Sequence, residues 1–144
     1  MKLEIVSGQP KLRLFDLEDK FDEILVQDNI RVESAYITDT EKCILRFPET
    51  EILHPKTLYD SIKMRVRNHI ESDKDLFILT YSSIVLYAVR VEIKNYEFKG
   101  AKCHQFLNDG TDKCAVINEN GQLSYWEEDI FDTIECALDE LLDL

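Results

Sequence analysis

Four cysteines, Cys43, Cys103, Cys114 and Cys136, and three histidines, His54, His69 and His104, are the side chains through which this 144-residue chain could do covalent or metal chemistry. A thiolate beside an imidazole, Cys103 or Cys114 with His69, would be a nucleophile, since the imidazole takes the proton and the thiolate reacts. A zinc site wants four ligands and usually a short spacing between paired cysteines, and the chain offers neither. Any sequence with this many cysteines and histidines yields such pairs by chance. No Gly-x-Ser-x-Gly elbow, glycine-rich phosphate loop or His-Glu-x-x-His motif occurs. No catalytic residue, metal ligand or cofactor is therefore assigned. Free core thiols are the expected state of the cysteines.

Carboxylates are the other chemistry on offer, and here the distribution is unusual. Lys113 is the last basic residue; the 31 residues from Cys114 to Leu144 hold nine Asp or Glu and no Lys or Arg, which is −9 of a net −12. The first 113 residues carry 20 acids against 17 bases. A helix expected from Glu128 puts Glu128, Asp132, Glu135, Asp139 and Asp143 on one face, with Asp129 and Glu140 beside them. Like charges four apart cost a few tenths of a kcal/mol each, and acids near a helix C-terminus oppose its dipole. Such a face repels anions and steers a cationic partner, with Trp126 and Tyr125 at the helix start as aromatic anchors. The plainer reading is a solvated face that confers solubility, with Trp126 a core or staple residue.

The opposite side of that helix carries Ile130, Phe131, Ile134, Ala137, Leu138, Leu141 and Leu142, a stripe suited to lying on a sheet. Upstream, Lys2–Val6 and Lys11–Phe15 alternate like the strands of a hairpin around Ser7-Gly8-Gln9-Pro10. Leu17, Phe21, Ile24 and Leu25 then mark a helix over 16–28, with Asp16 as its cap. A second hairpin is expected from Ile30–Thr38 and Lys42–Phe47 around Asp39-Thr40-Glu41, ended by Pro48. A second helix, 56–72, follows His54-Pro55, with Thr57 as cap and Leu58, Ile62, Val66 and Ile70 on its stripe. Its Lys63, Arg65 and Arg67 spread around the helix, so no cationic face for direct nucleic-acid binding forms.

Leu76–Phe98 reads as the centre of the sheet: a short strand to Thr80, a bend at Tyr81-Ser82-Ser83, then a long strand with Val85, Tyr87, Val89, Val91 and Ile93 on one face. Its other face turns polar at Arg90, Glu92 and Lys94, as at a solvent-facing edge. Asp109-Gly110 and Asn120-Gly121 are turn signals that predict a three-stranded meander. Two-residue loops there would set Gln105 opposite Cys114 and Cys103 opposite Val116, bringing both cysteines to one face as a redox pair or half a metal site, with His104 on the other.

The expected architecture is one α+β domain over 1–144: a mostly antiparallel sheet of six to eight strands, built from hairpins and a meander, with three helices on it. No apolar run is long enough to span a bilayer and the start lacks the apolar core of a signal peptide, so a cytoplasmic protein without a membrane partner is expected. The expected function is stoichiometric binding: a small acidic inhibitor, immunity protein or adaptor that occludes a basic protein, such as a nucleic-acid-processing enzyme or a toxin. Its binding face would be Trp126, Glu128, Asp129, Asp132, Glu135, Asp139 and Asp143. Two other classes stay open. One is a small-molecule-binding or enzymatic domain with a pocket between sheet and helices, using Tyr81, Tyr87, His104 or the thiols. The other is a subunit of a homodimer or larger homo-oligomer that pairs through the polar-to-apolar strand edge.

Overall fold

A computed structural model describes residues 1–27, 43–52 and 54–142. Five strands and four α-helices follow one another as β1 (Leu3–Gly8), α1 (Leu14–Gln27), β2 (Ile44–Arg46), α2 (Pro55–Ser72), β3 (Leu76–Leu79), α3 (Ser83–Tyr96), β4 (Ala101–Phe106), β5 (Asp112–Ile117) and α4 (Thr133–Leu142). The sheet order is β2-β3-β1-β4-β5. β1 lies parallel to both β3 and β4, β2 is parallel to β3, and only β5 runs antiparallel, against β4. The class is α+β as expected, but the sheet is mixed and mostly parallel, and the described residues form five strands and four α-helices where six to eight strands and three helices were expected. The strand Ile30–Thr38 and its turn lie outside the described residues.

Flanked on both sides by parallel strands and covered on both faces, β1 is buried along its whole length, with Leu3, Ile5 and Val6 in the core and the polar Glu4 and Ser7 buried beside them. Lys11–Phe15 is therefore not its hairpin partner. Parallel neighbours need a crossover of about a dozen residues or more, which here is helical, and α1 begins already at Leu14. Asp16 sits within the first turn of α1 and is not its cap. Leu17, Phe21, Ile24 and Leu25 pack with Val6, Ile44, Phe77, Leu79 and Phe106 on one face of the sheet. On the other face, Leu58, Ile62 and Val66 of α2 meet Val85, Leu86, Ala88, Val89 and Ile93 of α3 over Leu3, Ile5, Leu76 and Ile78. The cap of α2 is His54, whose Nδ1 accepts from the Lys56 amide at 3.2 Å, and Thr57 lies inside the helix.

The largest correction is α3. The segment read as a long strand is a helix whose buried residues, Val85, Leu86, Ala88, Val89, Glu92 and Ile93, fall at offsets 0, 1, 3, 4, 7 and 8. Valines and isoleucine at every fourth position satisfy both a two-residue and a helical period, and burial on two sides hides the difference. The expected bend supplies the start: Ser82 caps α3, its Oγ accepting from the Val85 amide. Glu92, expected at a solvent-facing edge, is fully buried between α3 and α2, with Arg67 Nη2 3.3 Å and Lys63 Nζ 3.9 Å from its Oε1. The strand edge invoked for self-pairing is thus absent from this segment.

Both glycine turns carry one residue more than expected. Leu107 donates its amide to Thr111 and Asn118 donates to Gln122, so each loop spans three residues and ends on a glycine with positive φ, Gly110 at 85° and Gly121 at 77°. That extra residue shifts the β4–β5 register by one, pairing Gln105 with Lys113, Cys103 with Ala115 and His104 with Cys114. A one-residue slip moves every side chain to the other face. Cys103 and Cys114 are consequently on opposite faces of the sheet. The third strand of the meander contracts to a single bridge between Ile117 and Leu123.

His104 emerges on the sheet face beside Glu4. Its Nε2 donates to Glu4 Oε1 at 2.6 Å and its Nδ1 to Asp112 Oδ2 at 2.9 Å. Burial disfavours the charged ring, but the hydrogen bonds to Asp112 and Glu4 outweigh it and raise the pKa from 6.5 to about 9. A raised folded-state value stabilises fully below the unfolded pKa of 6.5 and is lost as pH rises through about 9. With Asp112 partly exposed, the contribution is about 2 kcal/mol. Urea midpoints should therefore fall between pH 6 and pH 10, and His104→Gln should remove most of that fall; an equal fall in the variant would contradict the assignment.

Candidate protein-docking surface

Beyond the Leu123 bridge the chain runs back over α3, held by two buried or part-buried amides. Gln105 accepts from the Glu127 amide at 2.7 Å and donates to the Tyr125 carbonyl at 3.0 Å. Gln9 donates to the Glu128 carbonyl at 3.1 Å. Ile130 and Phe131 then plug into the core, and Asp132 closes the turn by accepting from the Asp129 amide at 2.9 Å. Asp129 adopts a left-handed φ of 63° there. Helix α4 starts only at Thr133, so Glu128 and Asp129 belong to the preceding segment and not to a helical face.

No residue of α4 is buried. Its apolar stripe, expected to lie on the sheet, is open: Ile134 is 57% exposed, Leu138 51%, Leu141 70% and Leu142 78%. The stripe's only buried members, Ile130 and Phe131, precede the helix. Both sides of a strongly amphipathic helix are thus presented outward. Glu128, Asp129, Glu135 and Asp139 are exposed and Asp132 is half-buried. Among the described residues none of these five carboxylates is ion-paired. Asp143 lies outside the described residues.

Four of the expected binding residues converge. Trp126, Glu128, Asp132 and Glu135 line a cleft of about 240 Å³ together with Tyr87, Glu127 and Phe131. Asp129 and Asp139 lie outside its walls. The Tyr87 hydroxyl donates to Glu135 Oε1 at 2.6 Å, a bond that raises the tyrosine's pKa. The Arg90 guanidinium lies 5.1 Å over the Tyr87 ring and 5.2 Å over Trp126, while its Nε donates to the Gly121 carbonyl at 2.6 Å. Trp126 is therefore one of two rings that Arg90 contacts at the surface, not a core residue. Tyr87 and Glu127 were not on the expected face. The helical period of α3, once recognised, is the signal that would have found Tyr87.

The residues of the alternative readings do not converge. All four cysteines are free; Cys103 is buried, which pushes its pKa up to about 12, and Cys114 is exposed on the opposite face. His69 is buried with Nε2 accepting from Arg65 Nε at 3.0 Å and Nδ1 beside the Lys74 and Asp75 carbonyls, so its hydrogen bonds run to neither Cys103 nor Cys114. Burial is the main cause that lowers its pKa. No group of three or more His, Cys, Asp or Glu among the described residues is arranged to hold a metal ion. Tyr81 ends the sheet, stacked 5.2 Å from Phe47, while His104 faces away from α2 and α3. A larger hollow of about 700 Å³ lies along α2, walled by Leu45, Pro48, Ile52, Met64, Arg65 and His69 among others. It brings together none of the tyrosines, His104 or the thiols. No described helix is long and apolar enough to cross a membrane. Comparison with family models, curated proteins and solved structures finds no match for the chain.

Proposed function

We propose that this chain is a small acidic cytosolic binding protein that occludes a basic protein partner, as an inhibitor, immunity protein or adaptor does, through α4 and the segment that leads into it. One observation carries the reading: an amphipathic helix that buries none of its own residues also carries carboxylates that no lysine or arginine among the described residues neutralises. Leaving leucines in water and like charges four apart is unfavourable for folding on both counts. Contact with an apolar surface rimmed by basic groups reverses both costs at once. The one-signed field of 31 residues without a base would speed the approach of such a partner.

The test is capture from the native cells with the tagged chain, at low salt and at about 1 M salt, where the Debye length falls to about 3 Å. Wild type should retain a basic protein in near-equal amount, at low salt only. The variant Glu128→Lys, Asp132→Lys, Glu135→Lys, Asp139→Lys should retain none. Equal retention by the charge-reversed chain would overturn the reading.

A further inference from the structure

We infer that the cleft between α3 and the 126–135 segment receives an arginine side chain from the partner protein. The inference rests on the proposed docking function and adds the group that anchors it. Three aromatic residues, Tyr87, Trp126 and Phe131, share this hollow of about 240 Å³ with four carboxylates, Glu127, Glu128, Asp132 and Glu135. The space suits one side chain and not a helix. Apolar and anionic walls together select a group that is cationic yet weakly hydrated and flat, which describes a guanidinium better than an ammonium.

A second observation, independent of the acidity, comes from inside the molecule. The chain's own Arg90 places its guanidinium 5.1 Å over Tyr87 and 5.2 Å over Trp126, so this ring pair already holds a group of that kind. Arg90 does not line the hollow. The carboxylates are placed to complete the recognition. Glu135 takes one hydroxyl bond from Tyr87, Glu127 one from the Tyr125 hydroxyl and a longer one from the Gln9 side-chain amide, and Asp132 one from the Asp129 amide and one from the Cys136 thiol. Each retains lone pairs, and among the described residues none has a lysine or arginine in ion-pair range.

Trp126 is the chain's single tryptophan and a wall of the cleft, so its emission reports occupancy directly. The probe is acetyl-Gly-Arg-Gly-amide at low ionic strength, with the Gln peptide as control and the full-length Glu128→Gln, Glu135→Gln variant as comparison. Both substituted residues are exposed, and unchanged circular dichroism would confirm that the variant folds. The Arg peptide should give a saturable change, with the Gln peptide and the double variant each binding about tenfold more weakly. A response equal for both peptides, equal for both proteins, or not saturable at all would overturn the inference. If it fails while charge reversal still abolishes partner capture, the acidic docking surface stands without this anchor; if capture fails while the titration succeeds, the opposite holds.

Discussion

Gly121→Ala should lower stability by about 3 kcal/mol, combining a strained left-handed φ with a backbone collision. At φ 77° a side chain is disfavoured, and an added Cβ would stand 2.6 Å from the Arg90 carbonyl oxygen and 3.3 Å from its carbonyl carbon. Those atoms belong to the backbone of α3 and cannot swing aside. Gly100→Ala isolates the dihedral cost, since Gly100 has a φ of 95° with nothing within 4 Å of the added carbon; it should lose only about 1 kcal/mol. Urea denaturation of both variants checks the difference, and equal losses would contradict the close packing of this turn on α3. Because Arg90 Nε also binds the Gly121 carbonyl, the same substitution should disturb the Arg90–Trp126 contact and shift the emission of Trp126.

Glu92→Met should raise stability by about 1 kcal/mol, although it deletes a buried ion pair. The carboxylate is fully buried, its Oε2 has no hydrogen-bond partner, and only Oε1 meets Arg67 and Lys63. Desolvation of a half-satisfied carboxylate outweighs what two partly exposed cations return, and a methionine fills the same space without that penalty. Lys63→Met with Arg67→Met should do the reverse. It strands the carboxylate in the α2–α3 interface at a cost of about 3 kcal/mol for Glu92. Thermal melts of the two variants should move in opposite directions, and a loss of stability in Glu92→Met would show that the pair is net stabilising.

Elements with a single apolar stripe were legible in the sequence. Leu17, Phe21, Ile24 and Leu25 in α1, and Leu58, Ile62 and Val66 in α2, are buried where their spacing places them. Legibility ended where burial is two-sided. Val85, Val89 and Ile93 fit a strand as well as a helix, and only the parallel relation of β1 to β3 and β4 demands crossovers. Calling 83–96 a strand in turn made the sheet antiparallel and concealed both buried Glu92 and cleft-lining Tyr87. The glycines announced turns but not loop length, and one additional residue at Asn108-Asp109-Gly110 was enough to part Cys103 from Cys114. At the candidate surface, Trp126, Glu128, Asp132 and Glu135 were named from the one-signed composition; the helical spacing did not hold for Glu128 and Asp129, since α4 starts only at Thr133, and Glu127 was missed. The open apolar side of α4 was not legible, because an amphipathic pattern specifies a face that seeks cover without specifying what covers it.

A docking role for α4 requires that it contribute nothing to the fold of the isolated chain. Thermal unfolding of Leu138→Gln with Leu141→Gln measures this most directly, since buried leucines cost about 2–5 kcal/mol when truncated whereas exposed positions stay within about 0.5 kcal/mol. A Tm within about 2 °C of wild type is the predicted result. A fall of about 10 °C or more would place those leucines against the chain's own core and contradict the claim that this helix is held out for a partner.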